Sequence, residues 1–225
     1  MTIGPLRLHS YWRSSAAYRV RIALELKGQP YEIAPVHLLR GGGEQHSPQF
    51  QELNPQEFVP VLMHGGRTLR QSMAIIEYLD ETHREPPLLP ADPLGRARVR
   101  ALAQTIACEI HPLNNLRVQR YLEEHLEADE ADRERWTRHW ITEGLDAVEK
   151  VLADNPSTGE FCEGDVPTIA DCCLVPQVYN AQRFGVSLDP WPNIRRINDA
   201  CLATEEFNKA RPENQPDAPS GAGGN

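Results

Sequence analysis

Residues 6–28 read LRLHSYWRSSAAYRVRIALELKG, and the change of period inside this stretch sets the fold. Leu6 and Leu8 alternate with Arg7 and His9, a period of two that predicts a strand. Ser14 and Ser15 follow, and serine hydroxyls favour helix N-termini because they accept the first free backbone N–H groups. Behind them Ala16, Val20, Ala23 and Leu24 fall on one helical stripe, with Ile22 and Leu26 on its flank, and Gly28 is placed to end the helix. The stretch predicts a strand that runs straight into a helix.

Working outward, YEIAPVHLL (31–39) predicts a second strand, and strand–helix–strand succession favours a parallel pair with a right-handed crossover. GGGEQHSPQFQELNP (41–55) predicts a loop with a short helical piece. VPVLMH (59–64) and RTLR (67–70) flank His64-Gly65-Gly66, the tight-turn signal of an antiparallel hairpin. SMAIIEYLDETH (72–83) has helical spacing, with Ser72 expected as its N-cap. The order to residue 84 is β-α-β-α-β-β-α, an α/β domain over 1–84.

The proline-rich REPPLLPADP predicts a linker over 85–92, and the chain beyond it is helical almost throughout, an all-α domain over 93–212. One helix is broken at Pro112, a second covers ERWTRHWITEGLDAVEKVLA (134–153), and a third begins at Thr168, with Asp171 three residues on in a capping-box arrangement. PNIRRINDACLATEEFNKA (192–210) supplies the last helical material. The end of the chain, NQPDAPSGAGGN, has little to bury, so 213–225 is expected to be a disordered tail.

With 225 residues, 40% of them hydrophobic, the chain is long enough for two domains with cores. Its formal charge of −9 argues against wrapping nucleic acid or lying on an anionic membrane. The five cysteines are odd in number and show neither CxxC nor Cys/His ligand spacing, which predicts reduced thiols and no metal site. The N-terminus lacks the apolar core of a secretory signal, and no run approaches the ~20 apolar residues of a membrane helix, so a cytoplasmic protein is expected.

Three places carry chemistry. Ser14-Ser15 at a helix start is either a plain cap or an anion site, because free N–H groups and the helix dipole favour negative charge there. Arg13, just before them, is either a solvated cation or a bidentate carboxylate clamp. HPLNNLR (111–117) puts His111, Asn114, Asn115 and Arg117 beside a proline break, a density of polar residues that more often lines a cleft than a core.

RSSAAYRVRIAL closely resembles the signature of the zeta class of cytosolic glutathione transferases, usually SSCxxRVRIAL, with Ala16 where that class carries cysteine. LNPQEFVPVL, QSMAIIEYL, IHPLNNLRV and VPTIADCCLVPQVYNAQRF occur in the order and spacing of the class, and the similarity runs from about residue 6 to Pro216. The resemblance implies a thioredoxin-like N-terminal domain and an all-helical C-terminal domain, glutathione as cofactor, and a homodimer. It implies Ser14 as the main donor to a glutathione thiolate with Ser15 second, and Gln45, Val59 and Pro60 (across a cis bond), Gln71, Ser72, His111 and Asn115 as glutathione contacts. Arg13, Arg117 and Arg183 are implied to face the acidic groups of a cis-enedione acid. The implied activity is glutathione-dependent cis–trans isomerisation in aromatic amino acid catabolism, with conjugation or dehalogenation, or binding without turnover, as alternatives.

Overall fold

The computed structural model describes residues 4–220 and divides into two compact units, 4–87 with 204–220, and 88–203. In the first unit β1 (Leu6–Ser10) lies parallel to β2 (Tyr31–Pro35), and on its other side β3 (Val61–His64) runs antiparallel to β1 and to β4 (Arg67–Arg70), in the order β2-β1-β3-β4. The turn between β3 and β4 has Gly65 at φ 56° and Gly66 at φ 76°, the pair of positive angles that closes a two-residue hairpin between partners His64 and Arg67.

The N-terminal part of this unit carries the helices α1 (Ser15–Leu26), α2 (Pro48–Leu53) and α3 (Ser72–Thr82). Helix α1 is its central prop: Val20, Ile22, Ala23 and Leu24 are fully buried. It stops as the sequence predicts. Gly28 at φ 59° lets Gln29 N–H reach Leu24 O at 3.0 Å while Gly28 N–H bonds Glu25 O at 2.9 Å, the two bonds of a Schellman cap.

The second unit contains α4 (Pro93–Gln104), α5 (Leu116–Leu126), α6 (Glu130–Ala153), α7 (Ile169–Arg183) and α8 (Pro192–Leu202). The break at Pro112 is prepared one turn earlier: Thr105–Ile110 widen into a π-helical turn and His111–Asn114 then tighten into a 3-10 turn. Helix α6 passes close by, since a Cβ on Gly144 would stand 2.3 Å from Ile110 Cγ1. It starts at Glu130, one turn before the predicted stretch, because Asp129 caps it by accepting from Asp132 N–H at 2.8 Å. Thr168 and Asp171 form the predicted capping box at the head of α7.

The end of the chain departs from expectation in two ways. Residues from Thr204 onward belong with the first unit, where α9 (Glu205–Lys209) packs on α1. Residues 213–220 of the expected disordered tail are placed by specific bonds, among them Asp217 to Trp12 and Gln215 to Arg211, and 221–225 lie outside the described residues. The physical reason is that this segment is held by polar bonds to main chain, which leave no hydrophobic period to read.

Candidate active site

The sheet gathers most of the predicted residues of the first unit at one edge. His9 pairs with Val61 and Val61 with Arg70, so the loop after β1, the residues before β3 and the residues after β4 emerge side by side. Tyr11, Trp12, Val36, Phe50, Val59 and Val61 pack there as one buried cluster, with Leu38, Leu53 and Ala218 against it. Arg13, Ser14, Ser15, Gln45, Val59, Pro60, Gln71 and Ser72 all lie on or beside these segments.

Ser14 is the N-cap of α1, at φ −70° and ψ 116°, and its Oγ accepts Ala17 N–H at 3.2 Å. Because that bond uses a lone pair, the hydroxyl proton stays available, and it meets no acceptor among the described residues. Ser15 is the first helical residue and is buried. Its N–H and that of Ala16 precede the first intrahelical bonds, so the end of α1 presents donors and the positive pole of the helix together. Arg13 is half-buried with its guanidinium 5.3 Å from the Trp12 ring centre.

Arg21, on α1, fixes this loop. It is fully buried and donates to Ala210 O at 3.0 Å, Trp12 O at 3.0 Å and Ser10 Oγ at 3.2 Å.

Val59 and Pro60 are joined by a cis peptide bond, as the resemblance implies, and Val59 N–H and C=O make no hydrogen bond among the described residues. Gln45, 4% exposed, donates through Nε2 toward Leu38 O at 3.4 Å and contacts His46 Nε2 at 3.0 Å, while its Oε1 is buried with no partner. An orphaned buried amide oxygen costs stability unless a ligand supplies the donor.

At the start of α3 the structure corrects the expected cap. Gln71 occupies the N-cap position, at φ 70° and ψ 118°, and no side chain caps the helix. Ser72 is the first helical residue, its Oγ accepting from Arg19 Nη1 at 3.2 Å. Ser72 thus lies one position inside the helix, and its hydroxyl is held by the buried Arg19 guanidinium. Gln71 is non-glycine at positive φ, a strained position of the kind that gathers at ligand sites, and Gln56 Oε1 holds its amide at 2.9 Å. The role of Gln56 carried no signal in the sequence.

In the second unit His111 opens the 3-10 turn, and Asn115 caps α5 by accepting Arg117 N–H at 3.1 Å. His111, Asn115 and Arg117 thus gather at one helix junction, with Arg117 exposed on it. Arg183 is at the end of α7, exposed, its guanidinium 4.6 Å from the Phe184 ring centre.

Four of the five thiols are inert by position. Cys162, Cys172, Cys173 and Cys201 are buried, and burial together with the neighbouring Asp171 carboxylate pushes the Cys162 thiol well up. Cys108 is the exposed cysteine. A brief alkylation of the folded protein should therefore modify Cys108 alone, as read by mass mapping, and leave the Ser14 site untouched because Ala16 offers no thiol there. Labelling of Cys162 or Cys201 in the native state would contradict this. Among the described residues no group of His, Cys, Asp and Glu side chains could hold a metal ion, and no helix is long and apolar enough to cross a membrane.

Residues 8–87 match the family described as Glutathione S-transferase, N-terminal domain, which fits a thioredoxin-like sheet with donors at the α1 and α3 N-termini. The chain is 50% identical over 213 residues to the probable maleylacetoacetate isomerase of Vibrio cholerae, covering 95% of this chain and 98% of that one. Among solved structures it is similar to holo maleylpyruvate isomerase, a bacterial glutathione transferase of the zeta class, with a TM-score of 0.92 and 49% identity over 95% of this chain and 100% of that one. It is also similar to the maleylacetoacetate isomerase of Anaeromyxobacter dehalogenans 2CP-1 solved with GSH in its active site, with a TM-score of 0.85 and 49% identity over 96% and 98% of the two chains. The chain belongs to the zeta-class glutathione transferases, the family of the maleylacetoacetate and maleylpyruvate isomerases.

Proposed function

We propose that this protein is a glutathione-dependent cis–trans isomerase that converts maleylacetoacetate to fumarylacetoacetate in aromatic amino acid catabolism. The observation that carries the reading is Ser14: an N-cap serine with an uncommitted hydroxyl proton, at a helix start where Ala16 provides no thiol. The residues present fit glutathione. The orphaned Gln45 Oε1, the unbonded main chain of Val59 and the uncapped start of α3 each offer what a γ-glutamyl tripeptide needs, an amide acceptor, a peptide edge and a carboxylate site. When bound, glutathione would supply the thiolate nucleophile for a reversible addition that permits cis–trans isomerisation and returns glutathione unchanged.

The protein's own contribution begins with the thiol. A free thiol has a pKa of about 8.5, so donation from Ser14 Oγ–H and the positive end of α1 raise the thiolate fraction at neutral pH. Ser15 supports the same helix end. Gln71 and Ser72 take the γ-glutamyl carboxylate, Val59 and Pro60 align the peptide, Gln45 takes the glycine end, and His111 and Asn115 add contacts. Arg13, Arg117 and Arg183 hold the carboxylates of the cis acid and stabilise the negative charge that develops on its oxygens. The reading includes the cytoplasmic location expected from the sequence and a homodimer, which the family resemblance implies.

The testing experiment is turnover of maleylacetoacetate by purified protein with and without glutathione. Glutathione-dependent formation of the trans acid is expected, and turnover in glutathione-free protein would exclude the reading. Maleylpyruvate is the second substrate to try, because the similarity to a maleylpyruvate isomerase structure is as extensive as that to the maleylacetoacetate isomerases.

The arginine assignment makes its own prediction. Arg13→Ala and Arg117→Ala should each lower kcat/KM for the cis acid by about tenfold or more, while conjugation of a neutral electrophile changes little. Both activities are measured on one preparation, and equal losses on the two substrates would remove the carboxylate role.

A further inference from the structure

The C-terminal segment ends against the loop that carries Ser14. After α9 the chain makes a 3-10 turn at Pro212–Asn214, and Gln215, buried, donates its amide to Arg211 O at 2.8 Å and Lys209 O at 3.1 Å. Ala218 N–H returns to Gln215 O at 3.0 Å, and Ala218 packs on the cluster formed by Tyr11, Trp12, Val36, Phe50, Val59 and Val61. These bonds place Asp217 so that its Oδ2 accepts Trp12 N–H at 2.9 Å. The acceptor lies 205 residues from its donor along the chain.

The Trp12 N–H needs that acceptor. Strand β1 ends at Ser10, so Trp12 lies beyond the sheet ladder, and Trp12 is 8% exposed, so water is a poor substitute. The carbonyls of the same loop are already assigned: Tyr11 O accepts Ser14 N–H at 2.9 Å and Trp12 O accepts from Arg21. Arg21 in turn holds Ala210 O. The C-terminal segment therefore grips the loop twice, once through Arg21 and once through Asp217, immediately before Arg13 and Ser14.

We propose that Asp217 is a positioning residue of the thiolate site: by accepting Trp12 N–H it fixes the backbone that aims the Ser14 hydroxyl and Arg13. The proposal rests on the reading of Ser14 as the donor to the glutathione sulfur. It requires an oxygen acceptor at this point rather than a negative charge, since a carboxylate near the thiolate opposes ionisation.

The test compares the full-length wild type with Asp217→Ala and Asp217→Asn. The readouts are the apparent pKa of the bound glutathione thiol, followed by thiolate absorbance, and kcat and KM for the cis acid. Asp217→Ala should raise the thiol pKa and lower kcat by about tenfold with a smaller change in KM, whereas Asp217→Asn, which retains an oxygen acceptor, should stay within about threefold of wild type. Loss of folding alone would not move the pKa of thiol bound to the folded fraction. Wild-type behaviour of Asp217→Ala, or equal damage in both variants, would overturn the proposal. Amide exchange in the wild type provides a check that does not depend on any variant: Trp12 N–H should be protected, and exchange at the rate of an open amide would overturn the proposal as well. A wild type that ionises bound glutathione yet isomerises no cis acid would count against the isomerase reading alone, because the thiolate comparison still decides the role of Asp217.

Discussion

Replacing Ser14 by alanine should reduce isomerase turnover by about 100-fold, the effect expected when a preorganised donor to a developing or resident anion is removed. The same oxygen also caps α1 through Ala17 N–H, so a stability loss of about 0.5–2 kcal/mol accompanies the change. The two effects separate in measurement. Turnover falls at temperatures far below unfolding, and the absorbance of bound thiolate at neutral pH should fall with it. Ser14→Thr keeps a hydroxyl and a capping oxygen and should recover much of both losses. Ser15→Ala should cost far less turnover, because Ser15 lies buried as the first helical residue, whereas Ser14 is the half-buried N-cap at the very start of the helix. If Ser15→Ala were the damaging change and Ser14→Ala the mild one, the donor assignment would have to be exchanged.

Much of this site was legible because its signals are local. A period change from two to helical spacing located the β1–α1 junction, a serine at that junction located the cap, and His64-Gly65-Gly66 located the hairpin that brings β4 back to the same edge. Each of these is decided by residues within a few positions of one another. Ser72 shows where local reading fails: its type and place favour capping, but Arg19 reaches it from 53 residues away and changes its role. The end of the chain fails for the same reason. Gln215 and Asp217 are held by bonds to main chain, one of them to Trp12, and a low-complexity composition around them gives no periodic signal. Residue types that favour turns and exposure can still be fixed when a distant N–H has no other acceptor.

Asp171 presents the opposite case, a local motif whose tertiary load exceeds its local reading. As a capping box it accepts Thr168 N–H at 2.7 Å and Thr168 Oγ1 at 2.8 Å, but its other oxygen accepts Cys162 N–H at 2.9 Å, and the carboxylate is fully buried. Asp171→Ala would leave two buried main-chain donors without acceptors, at roughly 1–3 kcal/mol each, so a loss of about 3–4 kcal/mol is expected once partial relaxation is allowed. Asp171→Asn retains the shape but has one acceptor oxygen, so its amide group must face one of the three donors, and it should recover only part of the loss. Glutamate, the usual capping-box residue, would carry its carboxylate one methylene further into a site that is already filled, and should not recover it either. Denaturant unfolding followed by tryptophan fluorescence suits the measurement, because Trp136, Trp140 and Trp191 lie in the second unit with Asp171 and only Trp12 lies in the first. The folded fraction should keep its thiolate signal, since Asp171 bonds none of the residues assigned to glutathione. A shift below about 1 kcal/mol in Asp171→Ala would mean that the freed N–H groups of Thr168 and Cys162 find water, and that the box is a local cap and nothing more.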